Sequence, residues 1–161
     1  MKFETLLTII QESNNVVVGY HGSNNDSLSI DPQKEIWFAL DEKSHIMDYY
    51  HGTRKTLFRA ELTLGKMLDL SMYDTDDMID YDEIRQFLID CELSDTSINM
   101  WFYTITDNMR SERIMLTQVL NSIIRHELLP LKMFDSIRIK EYSHDTICML
   151  NHTNIKNITK I

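Results

Sequence analysis

The stretch VVVGYHGS, residues 16–23, decides how the first part of this sequence is interpreted. Its three consecutive valines are β-branched and favour a short buried strand, which Gly19 ends in a turn. The polar segment SNNDSLSIDP, residues 23–32, is typical of a loop. The aromatic and apolar segment EIWFAL, residues 35–40, predicts a second strand. The region therefore predicts two strands joined by a polar loop.

The rest of the chain mixes helical and strand patterns in an order typical of an α+β protein. Alternating polar and apolar residues over 56–71 indicate one or two strands, and Pro130 is expected to stop a long helix. We predict one α+β domain over residues 1–161, with a helical insertion at about residues 73–130. The other predicted elements are helices at residues 1–13, 41–50, 73–93 and 98–129, and strands at residues 133–142 and 145–150.

The composition is that of an ordinary globular protein. Of 161 residues 43% are hydrophobic and 25% charged, and no apolar run approaches the ~20 residues that span a bilayer. Cys91 and Cys148 lie far apart without a paired motif, which favours a reduced, cytoplasmic location. CxxC and HxxxH spacings are missing from the sequence, and the acidic residues 74–83 lack the glycine and terminal glutamate of an EF-hand. No metal site is therefore expected.

The net charge of −9 indicates what kind of partner the protein would bind. An acidic surface repels nucleic acid phosphates, and no stripe of lysine and arginine offsets that charge. We therefore expect no direct nucleic acid binding and no membrane binding. A protein target with a basic surface is the expected partner.

The pattern Tyr-His-Gly-hydroxyl occurs twice, as YHGS at residues 20–23 and as YHGT at residues 50–53. His21 follows a predicted strand, so its backbone would be held rigidly and its side chain aimed. His51 follows a predicted helix, where the next glycine has the ordinary role of ending that helix. The first copy is therefore the candidate binding element. The alternative for His21 is a turn residue bonded to a neighbouring carbonyl.

The strand ending in YHGS, the polar loop and the segment IWFALDEKSHIMDYY together resemble ADP-ribosyltransferases of the His-Tyr-Glu type. These NAD-using enzymes are related to poly-ADP-ribose polymerases and diphtheria toxin. The C-terminal sequence is similar to the ADP-ribosyltransferase domains of phage and mobile-element polyvalent proteins, with NHTNIK at residues 151–156 as its closing motif. The resemblance covers roughly residues 16–71 and 133–158. It implies a split β-sheet core of the ADP-ribosyltransferase type.

The resemblance also implies NAD as co-substrate and a role for each matching residue. His21 would bond a hydroxyl of the adenosine ribose, and the Gly22 backbone would pair with the nicotinamide carboxamide. Tyr49 would stack on the nicotinamide ring, with Tyr50 as the alternative. The cofactor-binding residues implied in this way are Tyr20, His21, Gly22, Ser23, Phe38, Tyr49 and Tyr50.

The family further needs a carboxylate beside the oxocarbenium-like ribose that forms when the glycosidic bond breaks. The family's glutamate falls on Thr146 in this sequence, and the neighbouring acid is Asp145. Asp145 is therefore the expected catalytic carboxylate. Asp135 and Glu141 are the alternatives.

Together these features predict a mono-ADP-ribosyltransferase that moves ADP-ribose from NAD to a protein. If it is phage-encoded, it would act in the bacterial cytoplasm on a host defence or nucleic-acid-binding protein. Two alternatives stay open. The first is a relative that binds or hydrolyses NAD without transfer, and the second is an inhibitor that acts only by contact with a protein partner.

Overall fold

The computed structural model describes residues 15–41 and 56–161. A seven-stranded sheet forms the centre of the fold, in the order β4-β7-β8-β2-β1-β3-β9. Its strands are β1 Val16–Ser23, β2 Ile36–Ala39, β3 Thr56–Thr63, β4 Met67–Asp74, β7 Ser136–Glu141, β8 His144–Met149 and β9 Ile155–Lys160.

Helices fill the segment between β4 and β7. They are α1 Tyr81–Asp90, α2 Asp95–Asn108, α3 Leu116–Ile123, a π-helical turn Ile124–Leu128 and the short α4 Leu129–Leu131. A small second sheet pairs β5 Met78–Ile79 with β6 Ile114–Met115. A 3₁₀ turn, His152–Asn154, leads into β9.

The pairing of the strands follows from this connectivity. β4 and β7 are parallel, whereas the other neighbours in the large sheet are antiparallel. A parallel pair needs a long crossover connection, and the helical segment provides it. The helices therefore lie in one excursion of the chain that leaves from β4 and returns at β7.

Both faces of the sheet centre are covered by apolar side chains. On one face the helices pack against β7 and β8 in a large core that includes Phe87, Leu120, Ile137 and Ile139. On the other face a smaller core gathers side chains of β2, β3 and β8. Helix α1 begins with a capping box in which Asp80 and Glu83 bond each other's backbone N–H groups. The chain thus mixes a mostly β core with a few helices, as the predicted α+β class requires.

Strand β1 is longer than the sequence pattern predicts. YHGS is not a turn but the second half of β1, and the ladder with β3 continues to the pair Ser23 and Thr56. The partner strand supplies backbone hydrogen bonds that override the turn preference of glycine and serine. His21 is therefore a strand residue.

The helical region also differs from the predicted pattern. The single helix expected over residues 98–129 is divided into α2 and α3, because the chain between them forms β6. Pro130 lies in the first turn of α4, where proline is tolerated, and that helix ends at Lys132 in the left-handed conformation (φ 51°). The helices expected at residues 1–13 and 41–50, and the YHGT copy, lie outside the described residues.

Within the described residues, no helix has both the length and the apolar character needed to cross a membrane.

Candidate functional site

The sheet opens between β1 and β2. These two strands share a single residue pair, Tyr20 with Ala39, whereas β1 pairs with β3 along its whole length. A cavity of about 260 Å³ lies at this opening. It is lined by Tyr20, His21, Gly22, Ser29, Asp31, Lys34, Glu35, Ile36, Trp37, Phe38, Ala39, Glu141 and Thr146.

Gly19 allows the two strands to approach each other just before they part. A Cβ atom at residue 19 would lie 2.6 Å from Leu62 Cδ1 and 2.8 Å from Phe38 Cβ. Both distances are shorter than real contacts, so any side chain here would push Phe38 away from β1. The close approach of Phe38 therefore depends on this glycine.

His21 is fixed against β2. Its Nδ1 lies 2.8 Å from the Trp37 carbonyl oxygen, and its ring centroid lies 5.7 Å from that of Phe38. A carbonyl oxygen only accepts hydrogen bonds, so Nδ1 carries the proton in the neutral imidazole. Nε2 is then the acceptor nitrogen of this ring. The bond fixes both the ring orientation and the tautomer.

Two further polar residues reach the cavity from β7 and β8. Thr146 is paired with Ala39 on one side and with Ile139 on the other, and its side chain is 1% exposed. Its Oγ1 has no hydrogen-bond partner in the described part of the chain. Glu141, two residues beyond Ile139, points to the same face of the sheet, because side chains alternate along a strand. Both residues line the cavity wall.

Asp145 is placed elsewhere. As the neighbour of Thr146 in β8 it points to the opposite face of the sheet, which is also the face of Phe38 and His21, but it is not among the cavity-lining residues. Its carboxylate accepts two hydrogen bonds from Arg138, at 3.3 Å from Nε and 3.0 Å from Nη2. These bonds raise the pKa of the Arg138 guanidinium. The pair is partly exposed, with 38% and 37% of the two side chains accessible to solvent.

Asp135 joins three segments of the backbone. Its carboxylate accepts hydrogen bonds from the Lys66 N–H and from Asn151 Nδ2, both at 2.8 Å. Its own carbonyl oxygen accepts from the N–H groups of Leu150 and Asn151. Gly65, with φ +57°, leaves the room that this carboxylate occupies. Asp135 lies away from the cavity and has a structural place in the fold.

The remaining cofactor-binding residues expected from the sequence are Ser23, Tyr49 and Tyr50. Ser23 ends β1, where its Oγ accepts a hydrogen bond from the Asn25 N–H at 3.1 Å, and it is not among the cavity-lining residues. Tyr49 and Tyr50 lie outside the described residues. The structure thus brings together Tyr20, His21, Gly22, Phe38 and Glu141.

Charged residues of the loop before β2 complete the cavity, and the sequence pattern did not identify them. Glu35, whose side chain is only 12% exposed, lies 3.8 Å from Arg125 in the π-helical turn. Asp31 and Lys34 pair at 3.7 Å on the outer side. Their only signal in the sequence is a cluster of charges directly before an aromatic strand.

Across residues 15–41 and 56–161, no group of three or more histidine, cysteine, aspartate or glutamate side chains is placed to hold a metal ion.

Comparison with known proteins gives no match to a family model, to a curated protein or to a solved structure.

Proposed function

We propose that the cavity between β1 and β2 binds NAD and that the protein is a mono-ADP-ribosyltransferase acting on a protein target. One observation carries this proposal. Five residues that the sequence singled out in three separate segments line a single cavity: Tyr20, His21, Gly22, Phe38 and Glu141. The volume of about 260 Å³ is near the lower end for small-molecule sites. It would enclose the nicotinamide end of a dinucleotide and leave the rest at the cavity mouth.

The reaction needs one bond broken and one formed. The glycosidic bond between ribose C1′ and the nicotinamide nitrogen breaks, and its electron pair leaves with nicotinamide. A nucleophilic side chain of the target then bonds C1′ and loses its proton. Positive charge develops on the ribose in between, and a nearby carboxylate stabilises it.

Glu141 is the carboxylate that we assign to this role. It lines the cavity, whereas Asp145 does not line it and is bonded to Arg138, and Asp135 is bonded to backbone and amide groups elsewhere. His21 supports the assignment of the NAD site, because its Nε2 is an acceptor and so suits a ribose hydroxyl. The His21 role uses a ring that its bond to the Trp37 carbonyl has already oriented.

We also propose a basic protein surface as the target and the cytoplasm as the place of action. The net charge of −9 supports the first, since an acidic protein attracts a basic partner. The two described cysteines support the second, because both are free thiols in the core. In a phage setting the cytoplasm would be that of the bacterial host.

The test is to incubate the protein with NAD labelled in its adenylate part and with cell extract. Label on a protein band is the expected result. His21→Ala should abolish the labelling, and His51→Ala, in the second copy of the motif, is the matched control that should keep it. Free ADP-ribose without labelled protein would mean hydrolysis instead of transfer. Unchanged NAD would contradict the enzymatic proposal and leave contact inhibition.

A further inference from the structure

Thr146 carries a buried hydroxyl that has no hydrogen-bond partner in the described part of the chain. Its side chain is 1% exposed, and its Oγ1 makes no hydrogen bond within residues 15–41 and 56–161. A buried hydroxyl that has lost water and gained nothing destabilises the folded state. The fold itself does not need an oxygen there, because valine has the same shape and a strong preference for strands. Something other than packing is therefore expected to account for the hydroxyl.

The position of Thr146 in the sheet indicates what could bind its hydroxyl. Ala39 lies beside it on β2 and Ile139 on β7, and both neighbours are apolar and buried. Glu141 is the diagonal neighbour across the β7–β8 ladder, and such pairs have Cβ atoms about 7–8 Å apart on one face. A small polar group in the cavity would therefore lie within reach of both side chains.

We propose that the Thr146 hydroxyl is a specificity-determining group that obtains its hydrogen bond from a sugar hydroxyl of the bound ligand. The inference rests on the proposed function, since the ligand considered is NAD. A threonine hydroxyl can donate a hydrogen bond to a ribose hydroxyl or accept one from it, whereas the ionised Glu141 carboxylate only accepts. The pair thus suits a vicinal diol, whose two oxygens are presented side by side.

The inference predicts opposite effects of one substitution on stability and on affinity. Thr146→Val removes the partnerless oxygen, so the ligand-free protein should melt higher, by about 2–4 °C for a chain of this size. The same variant should bind NAD at least about tenfold more weakly, because it leaves a ligand hydroxyl unpaired. Thr146→Ser, which restores the oxygen, should recover most of that affinity. Thermal unfolding and isothermal titration calorimetry measure the two effects.

Two controls separate this role from a general disturbance of the cavity. Thr56 is also buried, but its hydroxyl donates to Asp26 at 3.5 Å, away from the cavity. Thr56→Val should therefore gain no stability and should keep the wild-type affinity for NAD. Nicotinamide, which has no sugar, should bind Thr146→Val and wild type equally well.

The outcomes distinguish the two proposals. If wild type binds NAD and Thr146→Val binds it equally, the role of Thr146 is wrong and the proposed function stands. Equal losses for NAD and nicotinamide, or a lower melting temperature without a change in affinity, would mean a structural role and would also overturn the inference. If wild-type protein does not bind NAD, the proposed function is wrong, and this inference with it.

Discussion

Two junctions of the same sheet are built in opposite ways. At the β7–β8 junction, six residue pairs run without interruption from Ser136 to Glu141. At the β1–β2 junction only Tyr20 and Ala39 are paired, and the cavity begins beside them. The first junction is covered by the helices on one face and supplies stability. The second leaves a gap in the sheet, and the cavity lies at that gap.

Buried polar groups differ between the cavity and the rest of the fold. On the helical side the buried Glu127 accepts a hydrogen bond from Trp101 Nε1 at 2.8 Å. On the opposite face of the sheet Ser136, at the start of β7, donates to the Leu64 carbonyl. At the cavity the buried Thr146 has no partner among the described residues. Thr146 is itself paired with Ile139 in the continuous β7–β8 ladder and with Ala39 beside the opening. What sets it apart from Glu127 and Ser136 is therefore its place at the cavity.

The largest expected effect tests whether the helical side is independent of the cavity. Phe87 in α1 is fully buried and meets the Tyr73 ring edge-on, with 5.0 Å between centroids. Phe87→Ala should lower the free energy of unfolding by about 3–5 kcal/mol in urea denaturation, because it leaves a large cavity. The folded fraction should bind NAD as wild type does. A parallel loss of affinity would break the comparison between the two junctions.

The second effect compares the carboxylates that the two faces present. Glu141→Gln should reduce the rate of transfer by about 10²–10³-fold, or about 3–4 kcal/mol in activation free energy, since in the proposed mechanism it removes the charge that stabilises the ribose. Asp145→Asn weakens the pair with Arg138 and is the matched control on the other face. It should keep the rate and cost less than about 1 kcal/mol of stability, because the pair is half exposed. Initial rates measured with labelled NAD distinguish the two variants. A loss of rate in Asp145→Asn together with an unchanged rate in Glu141→Gln would instead indicate Asp145 as the catalytic residue.

The third effect concerns the point where β1 and β2 separate. Gly19→Ala would place Cβ against Leu62 and Phe38, so it should cost about 1–3 kcal/mol of stability. Adding Leu62→Val removes Leu62 Cδ1, the atom closest to the new Cβ. The double variant should therefore lose less stability than the sum of the losses in the two single variants. Chemical denaturation of the four proteins gives this coupling. Simple additivity would mean that a methyl group at residue 19 does not press on the Leu62 side chain of β3.

The smallest effect lies at the far end of the closed junction. Asp76 accepts a hydrogen bond from the Tyr142 N–H in the β7–β8 turn, and burial, followed by the nearby Asp74 and Asp77 charges, raises its pKa. The folded protein therefore holds this proton more tightly than the unfolded chain does. That contribution to stability is complete below the unfolded pKa of about 3.9 and is lost as the pH rises through the higher folded value.

Asp76→Asn cannot ionise and keeps an acceptor for Tyr142. It should exceed wild type in melting temperature at pH 7 by about 2 °C or less, and this difference should vanish near pH 3. Asp82→Asn is the control, since it removes a favourable negative charge from the first turn of α1 and should lower stability slightly. A gain for Asp76→Asn that is independent of pH would contradict the sign of the pKa shift.

Much of the fold could be predicted from local pattern alone. The segments around Trp37, Ile137 and Ile147 are strands within one to three residues of the prediction, because their alternation and β-branching are strong. The extension of β1 through His21 could not be predicted. It depends on a partner strand far along the chain, and the local residues by themselves favour a turn.

The site shows a second limit of sequence reasoning. Asp145 and Thr146 are adjacent, so a shift of one residue decides which of them faces the cavity. A short motif places the region but does not fix the register against β2, which is set by the pair Ala39 and Thr146. Glu141, one of the two alternative carboxylates, reaches the cavity from the neighbouring strand β7. Residue spacing within one segment could not show that Glu141 would line the cavity.

The parallel neighbours β4 and β7 have a consequence for how the chain acquires its structure. β7 lies between β4 and β8, so these strands cannot pair until the helical segment that connects β4 to β7 has brought β7 beside β4. Contacts distant along the chain form slowly, because loop closure costs entropy before any pairing compensates for it. In pulsed hydrogen exchange during refolding, the amides of α1 and α3 should gain protection before those of β7. The opening beside β2 would then be among the last features to take shape.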